Sequence, residues 1–254
     1  MGKIILILMC LFALDEFAWA EDKDNPYQLQ LDQMVAKYHA ILDTKNVKPL
    51  IDLDREIFTL VKNAPFEQAE KVELRPEHFE IGLDIGVGEH IPIFNKNILL
   101  IEAHKRNPYS PYRKDTYYAV VMRDSEPGNK SVDLQPLYAY LKEFPQGSNA
   151  ASIYLSLADH YKDLYLVLRG LINKKQSQSE AAINCYRGLL SKKPYPEQMR
   201  EARVLAIQNY EKVLEMTVDA NKGWRDGIKI ALDEIKSENF RWNGFVTACG
   251  LGDD

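Results

Sequence analysis

Between residues 150 and 172, Ile153, Leu157, Tyr161, Leu164 and Leu168 return every three or four positions. That spacing marks one buried helix face. A chain that keeps repeating it can hide its apolar surface only by laying helix against helix. Asp159, His160, Lys162, Asp163 and Arg169 fall mostly off the stripe and are expected to face water. Over 197–218 a broader apolar set (Val204, Leu205, Ala206, Ile207, Tyr210, Val213, Leu214) predicts a helix packed on two sides. No stretch of the chain alternates convincingly as a half-buried strand would.

Start signals agree with an all-α reading. Proline is tolerated at the first helical position, where its missing N–H would lack a partner anyway. Pro26, Pro111 and Pro196 fit that rule, as do Pro49, Pro65 and Pro76. Ser177 with Glu180 three residues on makes a capping box. Helices are expected over 26–43, 48–62, 65–72, 76–86, 93–106, 111–123, 132–143, 149–172, 177–192, 196–219 and 221–238. Short links such as Glu126-Pro127-Gly128-Asn129 favour antiparallel neighbours.

Self-comparison adds a repeat. Residues 104–121 (HKRNPYSPYRKDTYYAVV) and 141–158 (LKEFPQGSNAASIYLSLA) align at an offset of 37, matching Pro108 with Pro145, Ser110 with Gly147, Tyr112 with Asn149 and Tyr117 with Tyr154. A third copy begins at Pro194 with a longer offset of 49. A two-helix unit of this kind cannot bury its stripe alone, so stacked units share one core. Leu141-Lys142-Glu143-Phe144-Pro145-Gln146-Gly147, leading into Ala150, Leu157-Ala158 and Tyr161, resembles tetratricopeptide-type repeats in the form found in periplasmic envelope proteins. Asn107 to Arg113, Ser179 to Leu190 and Ala206 to Leu214 are similar to further pieces of such repeats. The resemblance spans roughly 76–218. It implies antiparallel helix pairs stacked as an α–α superhelix that binds a protein or peptide. Helix lengths are uneven and the small-residue positions incomplete, which departs from the family. The expected organisation is a signal at 1–20, N-terminal helices over 21–75, repeats over 76–219, and a capping helix and tail over 220–254. Solenoids need such caps.

The first twenty residues read as an address. Lys3 precedes an apolar run from Ile4 to Leu14, and Ala18-Trp19-Ala20 supplies small residues for cleavage before Glu21. The run is too short to span a bilayer, which takes about 20 apolar residues. An exported, periplasmic or secreted protein is therefore expected, with no transmembrane segment after cleavage. Of the three cysteines, Cys185 and Cys249 remain, and an oxidising compartment permits a bridge between them. The formal net charge of −5 and the lack of a Lys/Arg cluster argue against a nucleic-acid partner.

Motifs for chemistry are missing. His39, His78, His90, His104 and His160 include no pair at the i, i+4 spacing of a helical zinc site, so surface or capping roles are expected and no metal. Gly82, Gly86 and Gly88 are spaced G-x3-G-x-G, not as a phosphate loop, and are read as helix packing followed by a helix end. No G-x-S-x-G or C-x-x-C occurs, and no cofactor is implied. Tyrosine is the oddity: twelve of 14 lie between Tyr109 and Tyr210. Tyr161, Tyr186 and Tyr210 are expected in the core. Tyr109, Tyr112, Arg113, Tyr117 and Tyr154 are the candidate binding residues, because aromatic and Arg side chains anchor interfaces. The leading expectation is a protein- or peptide-binding adaptor or scaffold of the cell envelope, without enzymatic activity. The rivals are an all-α envelope enzyme, which requires a pocket holding a carboxylate or His of shifted pKa, and a self-assembling structural protein.

Overall fold

The computed structural model describes residues 25–42, 44, 46–85, 91–94, 97–125, 131–147, 149–173 and 182–240. The expected signal at 1–20, the capping box at 177–180, Gly86, Gly88, Cys249 and the tail beyond Phe240 lie outside them. The described chain is mostly helical, and no helix in it is long and apolar enough to cross a membrane. It divides into two compact units, Met1–Asn107 and Pro108–Asp254, so the division falls inside the stretch read as repeats.

The first unit opens with α1 (Pro26–Ile41). Its start is the predicted one, with Pro26 at the first helical position, and Asn25 caps it by accepting the Tyr27 N–H through its side chain at 3.1 Å. α2 (Lys48–Lys62) buries Leu50, Ile51, Leu53 and Ile57 against α1 and α5 (Ile98–Arg106). Between α2 and α5 run two short helices, α3 (Phe66–Ala69) and α4 (Pro76–Glu80), and a two-stranded antiparallel hairpin. Its strands are β1 (Leu83–Ile85) and β2 (Pro92–Phe94), with Asp84 opposite Ile93.

The hairpin corrects the helices expected over 76–86 and 93–106. Gly82 has φ 88°, a left-handed conformation that stops α4 and turns the chain. Beyond it Leu83 points inward and is 1% exposed, while Asp84 and Ile85 stay exposed. Gly82 thus serves backbone geometry and not helix packing.

The second unit contains α6 (Arg113–Ser125), α7 (Gln135–Glu143), α8 (Ala150–Ile172), α9 (Tyr195–Met216) and α10 (Lys222–Ser237). Where a helix was expected over 177–192, the described part is a helical turn at 182–185 and a 3-10 turn, Arg187–Leu189. Successive helices pack as antiparallel neighbours, α6 on α7, α7 on α8, α9 on α10, with α8 against α9 the most extensive pair. Leu164 through Leu168 are buried without a break, so α8 is covered on all sides over that stretch. Its Ile153, Leu157, Leu164 and Leu168 meet Ala202, Ala206, Tyr210 and Val213 of α9 in one core cluster. Each such aliphatic side chain contributes about 1.5–3 kcal/mol on burial. Truncation of Leu157 to Ala costs about 2–5 kcal/mol. Arg203 closes the last turn of α10 by donating to the carbonyls of Ile235 (3.0 Å) and Lys236 (2.7 Å).

The offset of 37 is visible in the backbone. Asn107 N–H donates to Ala103 and Phe144 N–H to Tyr140; Arg113 N–H donates to Ser110 and Ala150 N–H to Gly147; Thr116 N–H donates to Tyr112 and Ile153 N–H to Asn149. Every pair is separated by 37 residues. Pro194 departs from this layout, since it caps α9 directly.

Candidate functional site

A groove of about 590 Å³ opens in the second unit. Its described lining is Met122 from α6 and, along α8, Ser152, Leu155, Ser156, Asp159, His160, Lys162 and Asp163. Positions 152, 155, 156, 159 and 163 share one helix face, which is why residues so far apart in sequence line a single trough.

Two carboxylates stand at one end of it, each tied to a tyrosine from another element. Tyr210 of α9 donates its hydroxyl to Asp159 Oδ1 at 2.5 Å. Tyr186 donates to Asp163 Oδ2 at 3.2 Å. Both tyrosine rings are fully buried, so each hydroxyl needs a partner inside the protein. Burial, reinforced by the neighbouring Asp159 charge, pushes the Asp163 carboxyl up to about 7, against the pull of Lys162 and the Tyr186 hydrogen bond. Asp159 keeps contact with solvent, yet burial still raises its carboxyl, with Tyr210 and Lys162 opposing. His160 is 8% exposed, and burial lowers its pKa to about 4, so the ring is neutral at pH 7. The two tyrosines are pushed above their ordinary value by burial and by the carboxylates they serve.

These residues were expected on the water-facing side of the helix. Only part of that reading fails. Lys162 is half-buried and Asp159 exposed, but His160 and Asp163 are in the interior. The signal that could have exposed them is the pair of core tyrosines: Tyr186 and Tyr210 are buried as expected, and a buried phenol calls for an acceptor. Tyr161, also expected in the core, is half-buried and meets the Tyr138 hydroxyl at 2.7 Å.

The structure gathers three of the five candidate binding residues. The Arg113 guanidinium lies 5.6 Å from the Tyr109 ring centre and 4.9 Å from that of Tyr117. It also forks onto Glu143, with Nε to Oε1 at 2.6 Å and Nη2 to Oε2 at 2.7 Å, and Nη1 donates to the Pro108 carbonyl at 2.9 Å. Arg113 therefore ties α6 to α7 and to the turn before it. Tyr109 is 85% exposed beside it. Tyr117 is half-buried and packs at a tilt against Tyr140, with ring centres 5.8 Å apart. Tyr112 and Tyr154 are half-buried, and Tyr154 packs on the core from α8.

A second, smaller hollow of about 310 Å³ lies in the first unit, lined by Asp32, Val35, Ala36, His39, Arg75, Glu77 and His78. His78 is 1% exposed. Its Nδ1 accepts the Arg75 backbone N–H at 2.9 Å, which leaves Nε2 to donate to Asp32 Oδ1 at 2.9 Å. Burial pushes the Asp32 carboxyl up, but hydrogen bonds from Arg75 and Gln28, with the charge of Arg75, outweigh it and hold the group below the usual range. This is a filled network that fastens α4 to α1.

Cys185, 9% exposed, is disulfide-bonded; Cys249, its expected partner, lies outside the described residues. Among the described residues no group of three or more His, Cys, Asp and Glu side chains is arranged to hold a metal ion. No family model, no curated protein and no solved structure matches the chain.

Proposed function

We propose that the chain is an exported helical-repeat protein that holds a segment of a partner polypeptide in the groove along α8. One observation carries this reading. The groove is open, mixes apolar walls with hydrogen-bonding groups, and runs from Ser152 to Asp163. At 1.5 Å per helical residue that is about 16 Å, the length of roughly five extended residues. Export is supported by the first twenty residues of the sequence and by the disulfide at Cys185, which suits an oxidising compartment. The repeat resemblance points the same way. The test is a photo-crosslinker placed in living cells at Leu155, on the groove wall, and at Val204, which is 51% exposed on α9. A defined protein adduct at Leu155 and none at Val204 supports the proposal. Equal labelling, or none at Leu155, removes it. N-terminal sequencing of the mature protein should begin at Glu21.

A second reading draws on Asp163. A carboxyl that holds its proton near neutral pH, on the helical turn after another carboxyl, is the pattern of an acid–base pair. An enzyme of this kind would lose turnover in both Asp159→Asn and Asp163→Asn.

A further inference from the structure

We propose that the Asp159–Asp163 end of the groove is a pocket for a basic side chain, a lysine or arginine of the bound polypeptide, held between those two carboxylates. This rests on the peptide-binding reading above and names the chemistry of the partner. The acidic pair alone would not make a site, since each carboxylate already accepts one tyrosine hydroxyl. Each retains further lone pairs that no described donor fills. The independent observation is His160. The residue is 8% exposed, lines the groove, and makes no hydrogen bond or ion pair among the described residues. A neutral imidazole turned into a cavity presents one nitrogen able to accept a hydrogen bond. An apolar occupant would shut water out from that nitrogen and from the remaining lone pairs of both carboxylates and give them no donor.

The occupant must therefore bring donors and positive charge, and an aliphatic stem suits the apolar walls at Met122 and Leu155. A metal ion fits poorly, because Asp159, His160 and Asp163 do not form a set able to hold one. A small free amine would fill one end of a trough about 16 Å long. A side chain on an extended segment fills the end while its backbone runs past Ser152 and Ser156. The groups facing Asp163 are Asp159, His160 and Lys162 on its own helix, Tyr186 from the turn at 182–189 and Tyr210 from α9. Lys162 forms no ion pair with either carboxylate among the described residues and competes weakly with an incoming cation. A bound ammonium or guanidinium favours the Asp163 carboxylate, so binding at pH 7 expels about half a proton.

The test pans a phage-displayed library of random dodecapeptides against the full chain, then measures the best peptide by calorimetry in buffers of different ionisation enthalpy. The expected result is a peptide whose one lysine or arginine, replaced by norleucine, loses at least tenfold in affinity. Asp159→Asn and Asp163→Asn should cause a comparable loss, and the proton release should vanish in Asp163→Asn. The norleucine peptide leaves the protein untouched, so the comparison survives if a variant folds poorly. Peptides that need no basic residue, or that bind both variants unchanged, overturn the pocket and leave the peptide-binding reading standing. A library that yields no binder overturns it too, and the crosslink at Leu155 then decides the broader reading by itself. Binding of n-butylammonium as tight as the peptide's overturns the polypeptide source.

Discussion

At the scale of single residues, Asp163 and His160 pull stability in opposite directions with pH. Asp163 titrates near 3.8 when unfolded and at about 7 when folded. The folded state keeps a proton that the unfolded state has lost, so stability falls as pH rises from about 4 to 7. His160 titrates near 6.5 unfolded and at about 4 folded. The unfolded state there binds the extra proton, so stability falls as pH drops through the same window. Asp163→Asn keeps an acceptor for the Tyr186 hydroxyl and removes one of the two slopes. Urea unfolding at pH 4.5, 6 and 8 should show the variant gaining on the parent as pH rises, by on the order of 2–4 kcal/mol at pH 8. A difference that stays constant with pH would mean that Asp163 ionises freely in the folded protein.

At the scale of elements, the 182–189 segment is fitted tightly to its neighbour. Val132 N–H donates to the Cys185 carbonyl at 2.7 Å, and a Cβ added at Gly188 would sit 2.9 Å from the Val132 carbonyl oxygen. That oxygen belongs to a backbone which cannot swing aside. Gly188→Ala should cost about 1–3 kcal/mol. Because the same segment carries Tyr186, the variant should also weaken the hold on Asp163. Denaturant midpoints measure the first effect, and a rise in the pH at which Asp163 titrates, followed by carboxyl NMR shifts, measures the second, because the Tyr186 hydrogen bond holds that pH down. By contrast Asn221, whose side chain accepts the Gly223 and Trp224 N–H groups, is a plain helix cap. Its replacement by Ala should cost about 1 kcal/mol without changing the groove.

At the scale of the whole molecule, each unit has its own interior. Residues 108–254 contain the complete α8–α9 core and every described residue of the groove. Expressed alone, this stretch should give helical circular dichroism and a single cooperative melt. A chain that stays unfolded would show that the division at Asn107 is one of contacts only. Much of this architecture was legible from residue order. The α8 stripe and the proline starts each act through nearest neighbours, and local rules read them. The hairpin was missed because a positive φ at one glycine, followed by three-residue strands, leaves too short a pattern to register. The groove was missed for a different reason. Asp163 is a polar residue made internal by a tyrosine twenty-three positions away, and helical spacing carries no record of such a partner.

The three hydrogen bonds that recur thirty-seven positions apart make the two turns interchangeable parts. The bends that lead into α6 and α8 begin and end on the same bonded backbone positions, whatever side chains ride on them. Grafting residues 108–112 in place of 145–149, or the reverse, should preserve both helix starts and disturb only the passengers, such as the exposed Tyr109 ring beside Arg113. Evolution, or an engineer, can therefore change what these corners display without rebuilding what they join.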